Sequence, residues 1–398
     1  MRRREFIGLG VGGAAAVSLG AAFWDQLFGS AESRPFRAGV GYGPRRAPDE
    51  NGIRLPKGFK SRLIAKGDAT VPGTDYRWHT ASDGAAVFPR RDGGYLMASN
   101  CEEWQGGASA LRFDRDGHVR DAYRILSGTT RNCSGGGTPW GTWLSCEETA
   151  RGQVWECDMS GRKPGVVRPA MGVFKHEAAT VDPHQRRIYM TEDLFDGGLY
   201  RFTPKRWGDL SEGLLEIARV QRGGKVAWVE VPDPSGLKAD TRMQVPHTTR
   251  FKRGEGIHYD RHTIYITTTL DRGVHAYDTR TERIKLLYDG LSYKRPPLLF
   301  VDQLTASRAG EVFVCEDVPT EEIHMGLIER DGKVSRFLSL AGPLHKGSEL
   351  TGVVFDPSGS RMYFSSQRAY PPSDLLPGPG AIYEVSGPFR GAVRRRPI

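Results

Sequence analysis

The segment from Asn132 to Thr149, with the sequence NCSGGGTPWGTWLSCEET, contains side chains that could bind a metal ion. Cys133 supplies a thiol, and Glu147 and Glu148 supply adjacent carboxylates. Three consecutive glycines suggest a flexible loop. Trp140 and Trp143 suggest an aromatic wall when the segment is taken alone, but they are expected to be core aromatics, with shaping of the pocket as the alternative. Buried carboxylates need cations or hydrogen-bond donors to offset their lost hydration. The segment therefore indicates a binding or catalytic site rather than packing alone.

A sequence motif recurs along the chain. It consists of an apolar pair, an aspartate turn and a strand that contains an aromatic residue. Its copies begin at Thr180, Ile257, Leu304 and Val353, and the third copy has no aspartate in its turn. Units of strand, turn and strand that repeat in this way are typical of the inner hairpins of β-propeller blades. The 50 glycines and 25 prolines also favour a turn-rich all-β protein over a helical one.

A polar residue stands at the start of each unit, at a nearly constant interval. These residues, called here the first series, are Asp83, Cys133, Glu177, Glu255, Asp302 and Glu349. Their separations of 50, 44, 78, 47 and 47 residues fit four-stranded blades, except where an insertion around residues 205–250 lengthens one unit with extra strands. The sequence therefore predicts an all-β fold, a six-bladed β-propeller whose ring is closed by amino-terminal sequence pairing into the last sheet.

A second series of polar pairs follows the first, roughly 13 to 16 residues later in most units. The pairs are Glu102 and Glu103, Glu147 and Glu148, Glu192 and Asp193, Thr268 and Thr269, and Glu316 and Asp317. A hairpin of this length returns the end of its second strand to the start of its first. Both series are therefore expected to converge around one end of the central channel.

A ring of carboxylates in a partly dry channel is tolerable only if it is protonated or neutralised by cations. Carboxylate and carbonyl oxygens suit Ca²⁺, whereas the thiol of Cys133 suits a softer metal such as iron or zinc. The sequence therefore predicts a softer metal beside calcium sites in the channel. The alternative is that these acids are ordinary strand-end and turn residues. His176, His258 and His345 are expected to be structural.

The first 31 residues have the pattern of an export signal, with a cationic start, an apolar run and small residues where a peptidase could cut. Arg3, Arg4, Phe6 and Ile7 fit the twin-arginine motif. We predict a twin-arginine signal over residues 1–31, an amino-terminal arm with the first strand over 32–80, and the propeller domain over 81–398. The expected location is periplasmic or extracellular, with the twin-arginine machinery as a partner. A retained membrane anchor is the alternative.

The formal net charge of +9 does not indicate nucleic-acid binding. Arginines at positions 2–4 and 394–396 supply part of this charge, and the rest is scattered. The sequence has no stripe of basic and aromatic residues and no signature of a nucleic-acid module. The five cysteines are odd in number and widely spaced, so at least one thiol is expected to be free or bound to a ligand.

Several segments of the chain match the motifs of a known family. They are the twin-arginine start, NCSGGGTPWGTWLSCEET from Asn132, FKHEAATVDPHQRRIYMTED from Phe174, FKRGEGIHYD from Phe251, DQL at Asp302, and ELTGVVFDPSGSRMYFSSQ from Glu349. Together they resemble the PhoX alkaline phosphatases, over most of the chain after about residue 81. The resemblance implies a six-bladed propeller whose channel holds an iron and calcium cofactor. It also implies hydrolysis of small phosphomonoesters at alkaline pH outside the cytoplasm.

By this resemblance, Cys133 corresponds to the iron-binding cysteine of the family. The carboxylates implied to bind iron or calcium are Glu177, Glu255, Glu349 and Asp302, with Glu147, Glu148 and Asp193 as further candidates. The metals would bind the phosphoryl oxygens and offset charge in the transition state. The chain departs from the family just before Glu349, where a basic residue is expected. Catalytic binding of phosphate would instead need Lys346, Arg253, Lys175 or Arg368.

Two other functions stay open on the sequence alone. Six-bladed propellers with a carboxylate-bound metal also support calcium-dependent lactonase or esterase chemistry, which is an argument by fold analogy. A non-catalytic propeller could instead bind metal for stability and a partner through its surface. Iron bound through Cys133 would favour the phosphatase over the lactonase.

Overall fold

The computed structural model describes residues 39–318, 320–373 and 376–393. The predicted signal at residues 1–31, the start of the predicted arm and the carboxy-terminal arginines lie outside the described residues. Within the described ranges there is no α-helix, and no helix there is long and apolar enough to cross a membrane. Short 3₁₀ helices span Pro169–Met171, Thr241–Met243, Gly290–Ser292 and Pro343–His345.

The β-strands form six antiparallel sheets, which are the blades of a β-propeller. Two strands, β1 (Ile53–Arg54) and β2 (Lys60–Lys66), precede the first blade. The first blade consists of β3 (Ser82–Pro89), β4 (Tyr95–Cys101), β5 (Ala108–Phe113) and β6 (Val119–Leu126). The second consists of β7 (Asn132–Gly137), β8 (Thr142–Glu147), β9 (Val154–Asp158) and β10 (Val166–Val167). The third consists of β11 (His176–Asp182), β12 (Arg187–Glu192), β13 (Leu199–Arg206), β14 (Asp209–Val220) and β15 (Val226–Glu230).

The remaining three blades follow in chain order. The fourth consists of β16 (Gly254–Asp260), β17 (Thr263–Thr268), β18 (Gly273–Asp278) and β19 (Arg283–Asp289). The fifth contains β20 (Val301–Ala306), β21 (Val312–Glu316), β22 (Glu322–Ile328) and β23 (Val334–Ala341). The sixth contains β24 (Leu350–Phe355), β25 (Arg361–Ser366) and β26 (Ala381–Ser386). The first strand of each blade neighbours the first strands of the adjacent blades, so these six inner strands surround the channel.

The amino-terminal strands complete the last two blades. Strand β2 pairs antiparallel with β26, with Lys60 opposite Ser386 and Lys66 opposite Ala381, and β1 pairs with β23. The predicted closure of the ring by amino-terminal sequence is confirmed. The insertion predicted near residues 205–250 contains the ordinary fourth strand β14 and one additional strand, β15, which lies at the outer edge of its sheet.

The three glycines at 135–137 belong to the inner strand β7, and the flexible loop suggested by the sequence is wrong. A Cβ atom at Gly136 would lie 2.3 Å from the carbonyl oxygen of Ala179 in the next inner strand. Glycine is needed there because the two backbones approach too closely for a side chain. Trp143 is fully buried, and its Nε1–H donates to Asn100 Oδ1 at 2.8 Å, so it links two blades rather than lining a pocket wall.

Large apolar side chains fill the spaces between neighbouring blades. Tyr189 and Leu199 of the third blade share one buried cluster with Ile264 and Tyr277 of the fourth. Such clusters follow from the alternation of side chains along a strand, because both faces of a blade pack against neighbouring blades. The packing fixes the relative positions of the inner strands, and therefore of the polar residues at their ends.

Acidification is expected to destabilise the fold through the histidine at the junction of the arm and the first blade. His79 Nε2 lies 2.9 Å from Asn100 O and Nδ1 lies 2.9 Å from Ser109 Oγ, and burial lowers the pKa of His79 to about 3. The unfolded chain binds this proton near pH 6.5, so the contribution is fully present above that pH. It is lost at about 1.4 kcal/mol per pH unit as pH falls from 6.5 towards 3.

Equilibrium unfolding between pH 7.5 and pH 5 checks this expectation, with His79→Gln as the comparison. The variant keeps hydrogen-bonding capacity but cannot take up the proton. Its free energy of unfolding should fall less steeply with acidification than that of the wild type, and equal slopes would contradict the expectation.

Candidate metal centre

Each inner strand has a register irregularity near its start. In five blades it lies between Ser82 and Ala85, Asn132 and Gly135, His176 and Ala179, Gly254 and Ile257, and Val301 and Leu304. A β-bulge of this kind bends the strand and re-aims a side chain. The residue that directly follows the first residue of each of these pairs belongs to the first series: Asp83, Cys133, Glu177, Glu255 or Asp302. Repeated local structure therefore places these five side chains at equivalent positions around the channel.

The sixth blade differs from the register that the sequence suggested. Its irregularity lies between Thr351 and Val354, but Leu350 pairs with Ser366 as Val301 pairs with Glu316, so the residue equivalent to Asp302 is Thr351, whereas Glu349 directly precedes β24. Gly352, the next residue, has φ +61°, and a Cβ there would lie 2.6 Å from Asp83 O in the first blade. The inner strand that closes the ring therefore needs glycine at position 352, and the carboxylate of this blade comes from Glu349, two residues before Thr351.

The two members of each second-series pair lie in different environments. Glu147 accepts hydrogen bonds from Thr130 N at 3.0 Å and Gln153 N at 3.2 Å, so it binds loop backbone. Glu148, the next residue, instead lies with Cys133. Neighbouring residues of an extended chain point to opposite sides, so only one member of the pair can face the channel. Glu147, a predicted metal ligand, therefore belongs to no metal-binding group among the described residues.

Among the residues that the structure describes, nine from all six blades form four overlapping groups that could each hold a metal ion. The groups are Asp83, Glu102 and Cys133; Cys133, Glu148 and Glu177; Glu177, Glu255 and Asp302; and Asp302, Asp317 and Glu349. Within a group, one potential ligand atom of each residue lies within 4.8 Å of the others. The groups share Cys133, Glu177 and Asp302, so they form one continuous centre. The predicted ligands brought together are Cys133, Glu148, Glu177, Glu255, Asp302 and Glu349.

The electrostatics of the centre fit cation binding. Burial raises the pKa of the Asp83, Glu177 and Asp302 carboxyls well above the usual range, and neighbouring carboxylates raise it further. The Glu177 Oε2 and Asp302 Oδ1 atoms are buried without a hydrogen-bond partner among the described residues. Buried acceptors are normally satisfied. A bound cation would satisfy both atoms and offset the repulsion between the carboxylates.

The thiol of Cys133 is also buried inside the centre. Its Sγ lies 2.9 Å from Glu177 Oε1, to which it donates a hydrogen bond. Burial raises the pKa of Cys133 well above its usual value, and the carboxylates of Asp83 and Glu177 raise it further. A thiolate at this position therefore requires a positive charge beside it. The chemistry of this donor set fits a metal that binds sulfur and oxygen together.

Asp83, Glu102 and Asp317 belong to the two series but were not among the predicted ligands. Asp83 accepts hydrogen bonds from the amide groups of Gln303 and Gln367, which come from the fifth and sixth blades. These long-range partners leave no local signal in the sequence. The two glutamines hold the carboxylate of Asp83 within the centre.

Two of the predicted catalytic cations lie at the edge of the centre. Lys175 Nζ is 2.8 Å from Glu148 Oε1 and 2.7 Å from Asp193 Oδ2. Arg253 donates to Asp193 at 2.7 and 3.1 Å and lies 2.7 Å from Glu255. Asp193, a predicted ligand, therefore bridges two cations and is in none of the four groups. Burial alone would lower the pKa of Lys175, but Glu148 and Asp193 raise it above its usual value.

The sequence reading missed a third cation, Arg131. Its guanidinium pairs with Glu102 and lies 3.3 Å from Glu148 Oε2, and both carboxylates belong to the centre. Arg131 directly precedes the segment from Asn132 to Thr149, so its position in the sequence could have identified it as a candidate for phosphate binding. Lys346 is exposed, and Arg368 forms an ion pair with Glu103.

Residues 105–164 and 152–285 match the family model described as alkaline phosphatase PhoX. This part of the chain is similar to the PhoX family. The fold is also similar to that of PhoX from Pseudomonas fluorescens, solved in complex with vanadate, a transition state analogue. The two chains are 17% identical, the similarity covers 91% of this chain and 100% of that one, and the TM-score is 0.73. The six-bladed fold expected from the sequence is confirmed, and the family match supports the phosphatase family expected from the sequence.

Other solved structures are less similar to this chain. A gluconolactonase from Xanthomonas campestris is 13% identical, with 87% of this chain and 98% of that chain covered and a TM-score of 0.48. A streptogramin B lyase is also 13% identical, with 85% and 100% covered and a TM-score of 0.46. No curated protein matches the chain.

Proposed function

We propose that this chain is an exported, metal-dependent phosphatase that hydrolyses phosphomonoesters at the end of the channel where the nine clustered residues meet. The observation that carries this proposal is the convergence of eight carboxylates and one thiol from all six blades, in a chain that matches the PhoX family. The proposed export rests on the twin-arginine pattern at Arg3 and Arg4. The substrate is a small phosphorylated molecule.

The donor atoms suggest which metals the centre would hold. The two groups that contain Cys133 combine sulfur with carboxylate oxygen, which suits iron. The two groups that contain Asp302 offer only carboxylates, which suit Ca²⁺. When bound, such cations would withdraw charge from the phosphoryl group and stabilise the charge that develops in the transition state.

The chain itself would supply the positive groups that hold the substrate. Three partly buried cations lie at the centre. Lys175 and Arg131 pair with Glu148, which belongs to the centre, and Arg253 pairs with Asp193, which lies beside it. A guanidinium group can bind two phosphoryl oxygens at once, whereas an ammonium group acts as a point charge. We therefore assign Arg253 and Arg131 to orientation of the phosphoryl group and Lys175 to its charge. Lys346 stays a candidate for contact with incoming substrate.

Arg253→Lys is expected to raise KM for a phosphomonoester about tenfold with a smaller effect on kcat. Lysine keeps the charge but loses the forked geometry that Arg253 uses towards Asp193 and Glu255. Steady-state kinetics measure both constants. The matched control is Arg242→Lys, because Arg242 also pairs with carboxylates of the third blade, Glu192 and Asp196, which lie outside the four groups. An unchanged KM in Arg253→Lys would contradict its role.

The test of the proposed function uses the exported, folded protein. Its iron and calcium content is measured by elemental analysis, and hydrolysis of a chromogenic phosphate ester is followed at alkaline pH with and without added calcium. Calcium-dependent turnover by protein that contains both metals is expected. Absence of turnover despite a full metal complement would overturn the phosphatase proposal, and a lactone substrate in parallel tests the alternative hydrolase.

A further inference from the structure

A tryptophan lies exposed beside the candidate metal centre. Trp104 is 72% exposed, and it is the one exposed tryptophan of the part of the chain that the structure describes. It lies in the turn between β4 and β5, two residues after Glu102, which belongs to the centre. An exposed indole beside a polar centre offers a flat apolar face on which a ligand of that centre can stack.

The turn that carries Trp104 is fixed to the next blade. The backbone N–H of Arg131 donates to Glu103 O at 2.7 Å, and Gly107 N–H donates to the side-chain oxygen of Asn132 at 2.6 Å. These bonds lie on either side of Trp104, in residues 103 and 107. The indole is therefore presented by an ordered turn, and binding on it would cost little additional ordering of the protein.

Arg131 connects the indole to the proposed phosphate-binding region. Its guanidinium carbon lies 5.8 Å from the centre of the Trp104 ring, and its Nη2 atom lies 3.3 Å from Glu148 Oε2. A phosphoryl group bound at Arg131 would thus have the metal-binding carboxylates on one side and the indole on the other. The ester substituent, which must point away from the buried centre, would meet the indole.

We propose, on the basis of the proposed phosphatase function, that Trp104 is a specificity residue that favours phosphomonoesters whose alcohol part carries a flat aromatic ring. The ring of the substrate stacks on the exposed indole while the phosphoryl group reaches Arg131 and the centre. Stacking on an aromatic side chain has geometry and strength that a small aliphatic alcohol cannot reproduce. The substrate class is therefore aryl phosphates and nucleoside monophosphates rather than glycerol phosphates.

The kinetic test compares phenyl phosphate with glycerol 2-phosphate in the metal-loaded enzyme. Trp104→Ala is expected to lower the ratio of the two kcat/KM values about tenfold, mainly through KM for phenyl phosphate. Trp104→Phe, which keeps an aromatic face, should retain most of the ratio. Leu237→Ala is the matched control, because Leu237 is 79% exposed but lies in the segment between β15 and β16. An unchanged ratio in Trp104→Ala would overturn the proposal.

Measuring the affinity for phosphonates that are not hydrolysed tests the role of Trp104 independently of catalysis. Titration calorimetry gives the Kd of phenylphosphonate and of methylphosphonate, which are not hydrolysed, for the metal-loaded wild type and for Trp104→Ala. The wild type should bind phenylphosphonate about tenfold more tightly, and the variant should lose that preference. If neither ester is hydrolysed, the phosphatase proposal fails while this preference still tests Trp104. Equal preference in both proteins, or no phosphonate binding at all, would overturn the role of Trp104.

Discussion

Replacing Cys133 with alanine is expected to remove iron from the protein and to lower kcat/KM for a phosphomonoester by more than about a hundredfold. Loss of a group that only orients a metal ligand already costs 10–100-fold. Cys133 contributes the sulfur to both groups suited to iron and links them through one atom. The propeller should stay folded, because the substitution removes a single sulfur atom and leaves the backbone pairing of β7 with β8 in place. Elemental analysis and thermal unfolding measure the two outcomes.

Cys146→Ala is the matched control for this experiment. Cys146 lies in β8 of the same blade, is fully buried and belongs to none of the four groups formed by the described residues. Its replacement removes the same atom from the apolar core and should leave the iron content unchanged. Iron retained in Cys133→Ala would show that the ligand assignment is wrong. Iron lost from both variants would mean that folding of the blade, rather than ligation, controls the metal.

The sequence predicted the blade count and the closure because both depend on features repeated along the chain. The intervals between Cys133, Glu177, Asp302 and their relatives approximate the length of a blade. A strand-like run within residues 60–66 had no partner near it in sequence, and the last blade lacked its fourth strand. Pairing of β2 with β26 satisfies both conditions. A repeat interval of this kind can be counted in the sequence without knowing which residues are in contact.

The direction in which each acid points could not be predicted from spacing. Glu147 and Glu148 are adjacent and chemically alike, yet one binds loop amides and the other lies with Cys133. Which of them faces inward depends on the register of β8 against β7, because successive side chains of a strand alternate between its two sides. That register is visible in the backbone pairing but not in the sequence. The same limit explains why Asp193 was predicted as a ligand although it pairs with Lys175 and Arg253.

The register of the last blade shows a second limit. Glu349 lies 47 residues after Asp302, as the interval between blades suggested, but the residue equivalent to Asp302 is Thr351. Glu349 nevertheless joins the group of Asp302 and Asp317, because the segment before β24 brings its carboxylate to the channel. The spacing therefore identified a residue of the centre, although that residue does not occupy the position in its blade that Asp302 occupies in the fifth. The close approach of Gly352 to Asp83 depends on closure of the ring, which local sequence does not encode.

Removal of calcium with a chelator is expected to lower the thermal midpoint of unfolding by about 5 °C. A ligand present at a thousand times its Kd contributes about 4 kcal/mol of stability, and because the unfolding entropy grows with chain length, each kcal/mol corresponds to little more than about 1 °C for a chain of this size. The physical cause is the repulsion between the carboxylates of Glu177, Glu255 and Asp302, whose ligand atoms lie within 4.8 Å of one another. Differential scanning calorimetry before and after chelation, with calcium restored as the reversal, measures the change.

The substitution Asp302→Asn is expected to shift the thermal midpoint in opposite directions with and without calcium. Asp302 belongs to both groups suited to Ca²⁺, so the substitution should weaken calcium binding and lower the midpoint in excess calcium. In the chelated protein the same substitution removes a buried negative charge that faces Glu255 and Glu349, and the midpoint should rise above that of the chelated wild type. A residue with a purely structural role would lower the midpoint in both states. That result, or a midpoint that chelation leaves unchanged after the metals are shown to be gone, would contradict a cation-neutralised channel.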